Sequence, residues 1–318
     1  MKITVPQISK KIYSEDILDV LINRYSEVGS QWVLHQLDWT CTIYKSFNDF
    51  EKYLIVIYLT KKTLDFYSSN FIKVPYEQFY SEDTIDIEKF NIKDLAINID
   101  IPKESVRRKV IELGNEGVIK KFKKKIIIDR SAYKFIKPIK SIERMSRFLF
   151  LVSKLLADNK ILEKNISSSE VESVIKDNFS YVWKLYYELQ IPMLLNYKKI
   201  FGDLETFAIH GACVVTAHLD EKKEISKAGR DKFIESLLDK KEGGLNAMSI
   251  SEITGIPRAT AVRKLKRLIK LKMLVINDKK HYKLSNTFIK KILPMQENVL
   301  KDLSVFSAAI FNLILLKS

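Results

Sequence analysis

The chain has 318 residues, of which 46% are hydrophobic and 29% charged, and a formal net charge of +15. That length accommodates two domains of ordinary size, and the lack of any run of about eighteen apolar residues argues against a transmembrane helix. Two cysteines, Cys41 and Cys213, stand far apart without a CxxC, which supports neither a disulfide framework nor a zinc site.

The opening residues, MKITVPQISKK, lack the apolar stretch of a secretory signal, so the expected compartment is the reducing cytoplasm. The placement of the charge says more than its size. Residues 248–291 hold twelve Lys/Arg against two acids, and residues 90–130 hold eleven against six. These windows, at +10 and +5, account for the whole net charge. Charge concentrated in this way points to a polyanionic partner.

In chain order, residues 14–60 read as helices. Ile17, Leu18, Leu21 and Ile22 recur at helical spacing, as do Phe50, Tyr53, Leu54, Ile57 and Tyr58, on a helix that Asn48 or Asp49 can cap. Residues 73–86 are less regular and read as a link. Residues 91–129 follow as helix, turn, helix and a strand, basic turn and strand. Lys137-Pro138 breaks the chain, residues 142–156 form a long apolar-faced helix, and residues 171–190 form another. Residues 207–219 are apolar nearly all round and include Gly211, Ala212 and Ala217, the pattern of a buried helix that admits a close neighbour. Residues 221–247 are polar, end in Gly243-Gly244, and read as a connection.

Residues 249–284 then show one motif in full. Ser249 and Glu252 have the spacing of a capping box, which starts a short helix at Ser249. Gly255 supplies a turn residue tolerant of positive φ, and Pro257 suits a first helical position. The helix that follows carries Ala261, Leu265 and Leu268 on one face and Ala259, Arg263, Lys266 and Arg267 on the other, with Thr260 on the flank. A strand at Met273–Ile276, a polar turn at Asn277–Lys280 and a return strand at His281–Leu284 complete it. In the tail, residues 288–316, the stretch VFSAAIFNLILL is apolar enough to need a partner, either the other half of the chain or a second chain in a homodimer.

The chain also repeats itself. At an offset of 155, Ile101, Pro102, Arg108, Lys109 and Leu113 fall on Ile256, Pro257, Arg263, Lys264 and Leu268. At an offset of 154, Lys45, Phe47, Asp49, Glu51 and Ile55 fall on Lys199, Phe201, Asp203, Glu205 and Ile209. The expected fold is therefore mainly α with small β-wings: two helix-turn-helix units, each preceded and followed by helices, from an internal duplication of about 155 residues. The expected boundaries are 1–89 (helical), 90–130 (first unit), 131–165 (trailing helix), 166–247 (second helical segment), 248–285 (second unit) and 286–318 (C-terminal helix for packing or dimerisation).

Helix, turn, helix and basic ribbon is the order of parts in a winged helix-turn-helix, and residues 249–284 resemble the DNA-binding half of MarR-like bacterial regulators. The resemblance covers about forty residues. It implies that the second helix enters the major groove and that the wing lies against the backbone or in the minor groove. The implied DNA-contacting residues of the second unit are Arg258, Ala259, Thr260, Arg263, Lys264, Lys266, Arg267, Lys279, Lys280 and His281. Those of the first are Lys103, Glu104, Ser105, Arg107, Arg108, Lys121, Lys123, Lys124 and Lys125. The two reading faces are unequal: Glu104, Arg108, Ile111 and Glu112 stand where the second unit has Ala259, Arg263, Lys266 and Arg267. Carboxylates oppose phosphate, so the second unit is expected to do most of the base reading.

No sequence motif with a catalytic mechanism is present: no GxxxxGK[ST], no GxGxxG, no HExxH and no GxSxG. His210 and Cys213 lie three residues apart, and a core histidine with a core thiol is the expected reading. Trp32, Trp39, Trp183 and nearby tyrosines read as aromatic core, with a ligand pocket between helices as the alternative. The expectation is a cytoplasmic, nucleoid-associated regulator of transcription that binds double-stranded DNA, with no cofactor, no catalytic activity and no membrane partner. The alternatives are a replication initiator of plasmid or phage type and a winged-helix scaffold that binds protein.

Overall fold

The computed structural model describes residues 11–87, 90–122, 125–132, 137–221, 227–239 and 243–316. It is mainly helical, with two small antiparallel sheets. Helices α1 (Ser14–Asn23), α2 (Tyr25–Phe47) and α3 (Phe50–Ser69) come first. Asn48 ends α2 in the left-handed region, and Asp49 caps α3 by accepting from the amides of Glu51 and Lys52. A short α4 (Tyr76–Phe79) leads to β1 (Thr84–Ile87). Then come α5 (Ile92–Asn98), α6 (Lys103–Asn115), β2 (Ile119–Phe122), β3 (Lys125–Asp129), a 3-10 turn at Arg130–Ala132, and α7 (Ile139–Asp158).

The second half runs α8 (Ser168–Asp177), α9 (Phe179–Phe201), α10 (Leu204–Glu221), α11 (Arg230–Asp239), α12 (Ala247–Thr254), α13 (Arg258–Lys270), β4 (Leu274–Ile276), β5 (Tyr282–Leu284) and α14 (Asn286–Leu315). Lengths recur between the halves. α1 and α8 have 10 residues each, α2 and α9 have 23, and α6 and α13 have 13. Left-handed residues recur too, in the pairs Asn48 and Gly202, Asp100 and Gly255, and Gly117 and Lys272. The first sheet has the order β1-β3-β2; in the second, β5 pairs with β4 and with an isolated bridge residue, Leu245.

Several expectations change. α12 begins two residues before Ser249, because the Asn246 side chain accepts from the Ser249 amide and caps the helix there; the Ser249/Glu252 capping box does not form. Pro257 is the N-cap of α13 rather than its first residue, with φ of −53° and ψ of 136°. Residues 171–190 are not one helix: the chain breaks at Asn178 between α8 and α9. The stretch 221–247 contains α11, whose Phe233, Ile234 and Leu237 are buried at helical spacing among polar residues. Residues 73–86 contribute a strand, β1, so the first sheet extends beyond the boundary drawn at residue 90.

The halves do not pack side by side with separate cores. One continuous cluster of buried residues runs from Ile12 to Ile314. α7 packs on α8, and α14 packs on α1; α3 lies against α9, and α10 against α2. Each half thus closes with its trailing helix on the first helix of the other. The stretch Ile292–Leu315 has the length and hydropathy of a membrane span, but here Leu303, Ser307, Ile310 and Phe311 are wholly buried within the chain. α1 of the first half and α8 and α9 of the second pack against this tail.

Candidate nucleic-acid interface

α13 is held by its inner face. Ala261, Leu265 and Leu268 are wholly buried, and Ile256 beneath the turn is too. Gly255, with φ of 72°, ends α12, and three residues on the second helix begins. This leaves Arg258, Ala259, Arg263, Lys266, Arg267 and Lys270 exposed on the outer side, with Thr260 half-buried at the edge. Five of these six carry positive charge. The wing beyond is turned by Asn277, whose Oδ1 accepts from the amides of Lys279 (3.1 Å) and His281 (2.9 Å). Lys279 and Lys280 are exposed at its tip, and His281 is half-buried.

Not every cation assigned to this face reaches it. Lys264 turns inward, with its side chain only 14% exposed, and its Nζ lies 2.6 Å from Asp203 Oδ2. Arg267 is half-exposed and shares the same oxygen at 3.3 Å. Its guanidinium rests on Gly202, where an added Cβ would stand 1.9 Å from Nη2. Burial pushes the Asp203 carboxyl up, but the Lys264 ammonium and the Thr206 hydroxyl and amide overcome this and hold it below its usual range. Glu205, two residues on, is raised by burial. Lys264 is therefore an anchor, and Arg267 is partly one.

The same anchor exists on α6. Lys109, 10% exposed, pairs with Asp49 and lies 3.5 Å from Glu51. Val106 and Leu113 are wholly buried, Val110 is half-buried, and Lys103, Glu104, Arg107, Arg108 and Ile111 are exposed, with Ser105 half-buried. Glu112 does not stand free on this face. Lys52 Nζ lies 3.0 Å from it and 2.6 Å from Glu116, and Arg108 Nε is 3.7 Å away. The carboxylate expected to repel phosphate is thus largely neutralised from within. Arg107 is paired more loosely, 3.8 Å from Glu104.

The first wing is described only in part. Lys120 is half-exposed and paired with Asp129. Lys121 and Lys125 lie in β2 and β3, with only their backbones described, and Lys123 and Lys124 lie outside the described residues. Arg130, counted among the basic residues of this unit, is buried: its guanidinium lies over the rings of Phe79 and Tyr80 and donates to the carbonyls of Phe79 (2.7 Å) and Glu82. With Lys109 also turned inward, the charge the first unit presents outward is smaller than its sequence count.

Asp49 and Asp203 grip α6 and α13 through Lys109 and Lys264; the sequence marked Asp49 as a candidate cap and both acids as repeated positions, and no more. A signal for their larger role was present: each aspartate and its lysine recur together, at offsets of 154 and 155. Elsewhere, burial pushes the Cys213 thiol up to about 12, away from the thiolate a metal takes, and no group of three or more His, Cys, Asp or Glu suited to a metal occurs among the described residues. Comparison with known proteins finds no family model, no curated protein and no solved structure that matches this chain.

Proposed function

We propose that the protein is a regulator of transcription that binds double-stranded DNA through two unequal winged helices on one polypeptide, and that its halves arose by duplication. The observation that carries the DNA reading is the outer face of α13. Arg258, Arg263, Lys266, Arg267 and Lys270 line one exposed side of a helix whose other side is fixed in the core, with Lys279 and Lys280 on the wing beyond. Such a helix can offer guanidinium groups to guanine edges while lysines neutralise phosphates. The duplication is supported by the recurring helix lengths, the left-handed residues at matching offsets and the two Lys–Asp anchors.

One chain with two different reading heads suits an asymmetric or imperfectly palindromic site. The second unit carries the base reading. The first, with Glu104 and Ile111 exposed, reads a different half-site or holds the backbone. Selection from a random duplex library, followed by binding at several salt concentrations, tests this. The expected result is a consensus with two dissimilar halves and a steep fall of affinity with salt. No enrichment above non-specific binding overturns it. Consensus sites repeated near an origin, rather than beside promoters, would assign the same contacts to replication initiation.

A further inference from the structure

Between α2, α9, α10 and α14 lies a partly open cavity with about 70 Å³ of space for the centres of water-sized molecules. Trp32, Tyr197, Phe207 and Phe288 give it aromatic walls, and no charged side chain lines it among the described residues. Two polar atoms in its lining are buried without a hydrogen-bond partner: His210 Nε2 and Gln296 Oε1. Gln296 spends its amide nitrogen on the Tyr25 hydroxyl (2.6 Å), leaving the oxygen as an open acceptor. The His210 ring is held between Phe201 and Phe288, with centroids at 5.0 and 4.4 Å. It is 2% exposed, and burial lowers its pKa to about 3, so it is neutral and can donate or accept according to tautomer. Buried orphan atoms are uncommon and call for a partner.

The corresponding positions in the first half carry different side chains. At positions 154 residues earlier, Ile57 stands for Gly211 and Val56 for His210, and Ile57 is almost wholly buried. Tyr53, in the place of Phe207, donates to Gln190 Oε1 at 2.8 Å. A bulky side chain thus stands in the first half where the second has Gly211, and a hydrogen-bonded tyrosine where the second has Phe207.

The cavity also touches what holds α13. Phe201 lines it and is followed by Gly202, on which Arg267 rests, and Asp203, which anchors Lys264. Phe288 lines it from the first turn of α14, just after the wing strand β5. We propose that the cavity binds a small neutral aromatic molecule bearing one hydrogen-bond donor, and that filling it changes how α13 is held. The effect on DNA rests on the function proposed above; binding of the molecule does not.

Calorimetric titration of the full chain with indole, its N-methyl derivative and benzoate tests the site. Indole should bind once per chain, N-methylation should weaken binding about tenfold through loss of the donor, and benzoate, which brings an uncompensated charge, should give no binding. Gly211→Ile, which copies the first half, should abolish indole binding without lowering the melting temperature. Should that variant fold poorly, Gly211→Ala serves, since its Cβ would meet Leu37 at an ordinary 3.8 Å; it should weaken indole severalfold. The site is overturned if indole does not bind, or if a folded Gly211 variant binds it as the parent does. In duplex titrations, indole should shift affinity for the parent and not for Gly211→Ile. Indole binding with unchanged duplex affinity overturns the coupling, and indole binding by a chain that takes up no duplex overturns the DNA reading alone.

Discussion

Lys109 on α6 and Lys264 on α13 each tie their helix to the aspartate that opens the helix beneath, and the strength of these ties can be measured without DNA. Lys109→Met keeps most of the side-chain volume and removes the charge. Asp49 is 25% exposed and also caps α3, so the carboxylate left behind is partly compensated by backbone amides and water. Breaking a fully buried pair costs about 3–5 kcal/mol; with that exposure, about 2–3 kcal/mol is expected here. For a chain of this length, at about 2.1 cal/mol/K of unfolding entropy per residue, that is roughly 3–4 °C in melting temperature. Asp49→Asn retains the cap, since asparagine caps as well as aspartate, and so isolates the charge. Urea denaturation of the two single variants and the double should give a coupling of about 1 kcal/mol or more, and Lys264→Met with Asp203→Asn should give a similar value. Variants that add within about 0.5 kcal/mol at both sites would refute the claim that these pairs anchor the helices.

Three further predictions concern other groups. Arg263→Ala should weaken specific duplex binding by about 1–3 kcal/mol and Arg108→Ala by less, measured by fluorescence anisotropy; the reverse order would move the main reading head to α6. Gly202→Ala should lower stability by about 1–2 kcal/mol, because φ is 82° and the new methyl displaces the Arg267 guanidinium; a silent substitution would show that Arg267 is not seated there. Burial lowers His35 and His210 to about 3 and His218 to about 4. The unfolded chain therefore takes up more protons, and stability, intact above about pH 6.5, should fall as the pH drops towards 4, by up to about 1.4 kcal/mol per pH unit for each histidine. His210→Leu should remove about a third of that slope in urea titrations between pH 6.5 and 5.5, and a flat profile there refutes it.

The helix, turn, helix and two-stranded ribbon of residues 247–284 were legible because local rules govern them. A glycine at the turn, a proline before the helix and apolar residues at i, i+4 and i+7 each act within a few residues, and Gly255, Pro257 and Ala261, Leu265 and Leu268 stand close to where those rules put them. What the sequence hid depends on distance. The direction in which Lys264 points is set by Asp203, sixty-one residues away, and the neutralisation of Glu112 by Lys52, sixty residues away. Amphipathic periodicity marks a lysine as outward unless an acid waits beneath it, and nothing local announces that acid. α11 was obscured because its three buried apolar residues sit in a stretch dominated by charge, where composition outweighed spacing. The cavity was legible only as an alternative: Trp32 lines it, as the pocket reading had it, but Gly211 in its wall reads equally well as close helix packing.

The exchange of trailing helices bears on how the chain reaches its native state. Ile12 and Asn312 trade two hydrogen bonds, N–H to Oδ1 and Nδ2 to carbonyl, both at 2.9 Å, across three hundred residues. The contacts of α1 with α14 form only once α14 has been synthesised, so α1 waits, with part of its apolar face uncovered, while the chain between them is made. Loops of that span close slowly, and a product that stops short of α14 would carry an unfinished surface on α1. The same closure brings the two ends of the described chain together. A circular permutant that joins them by a short linker and opens between α7 and α8 should therefore keep every reciprocal contact while turning the slowest one into a local one.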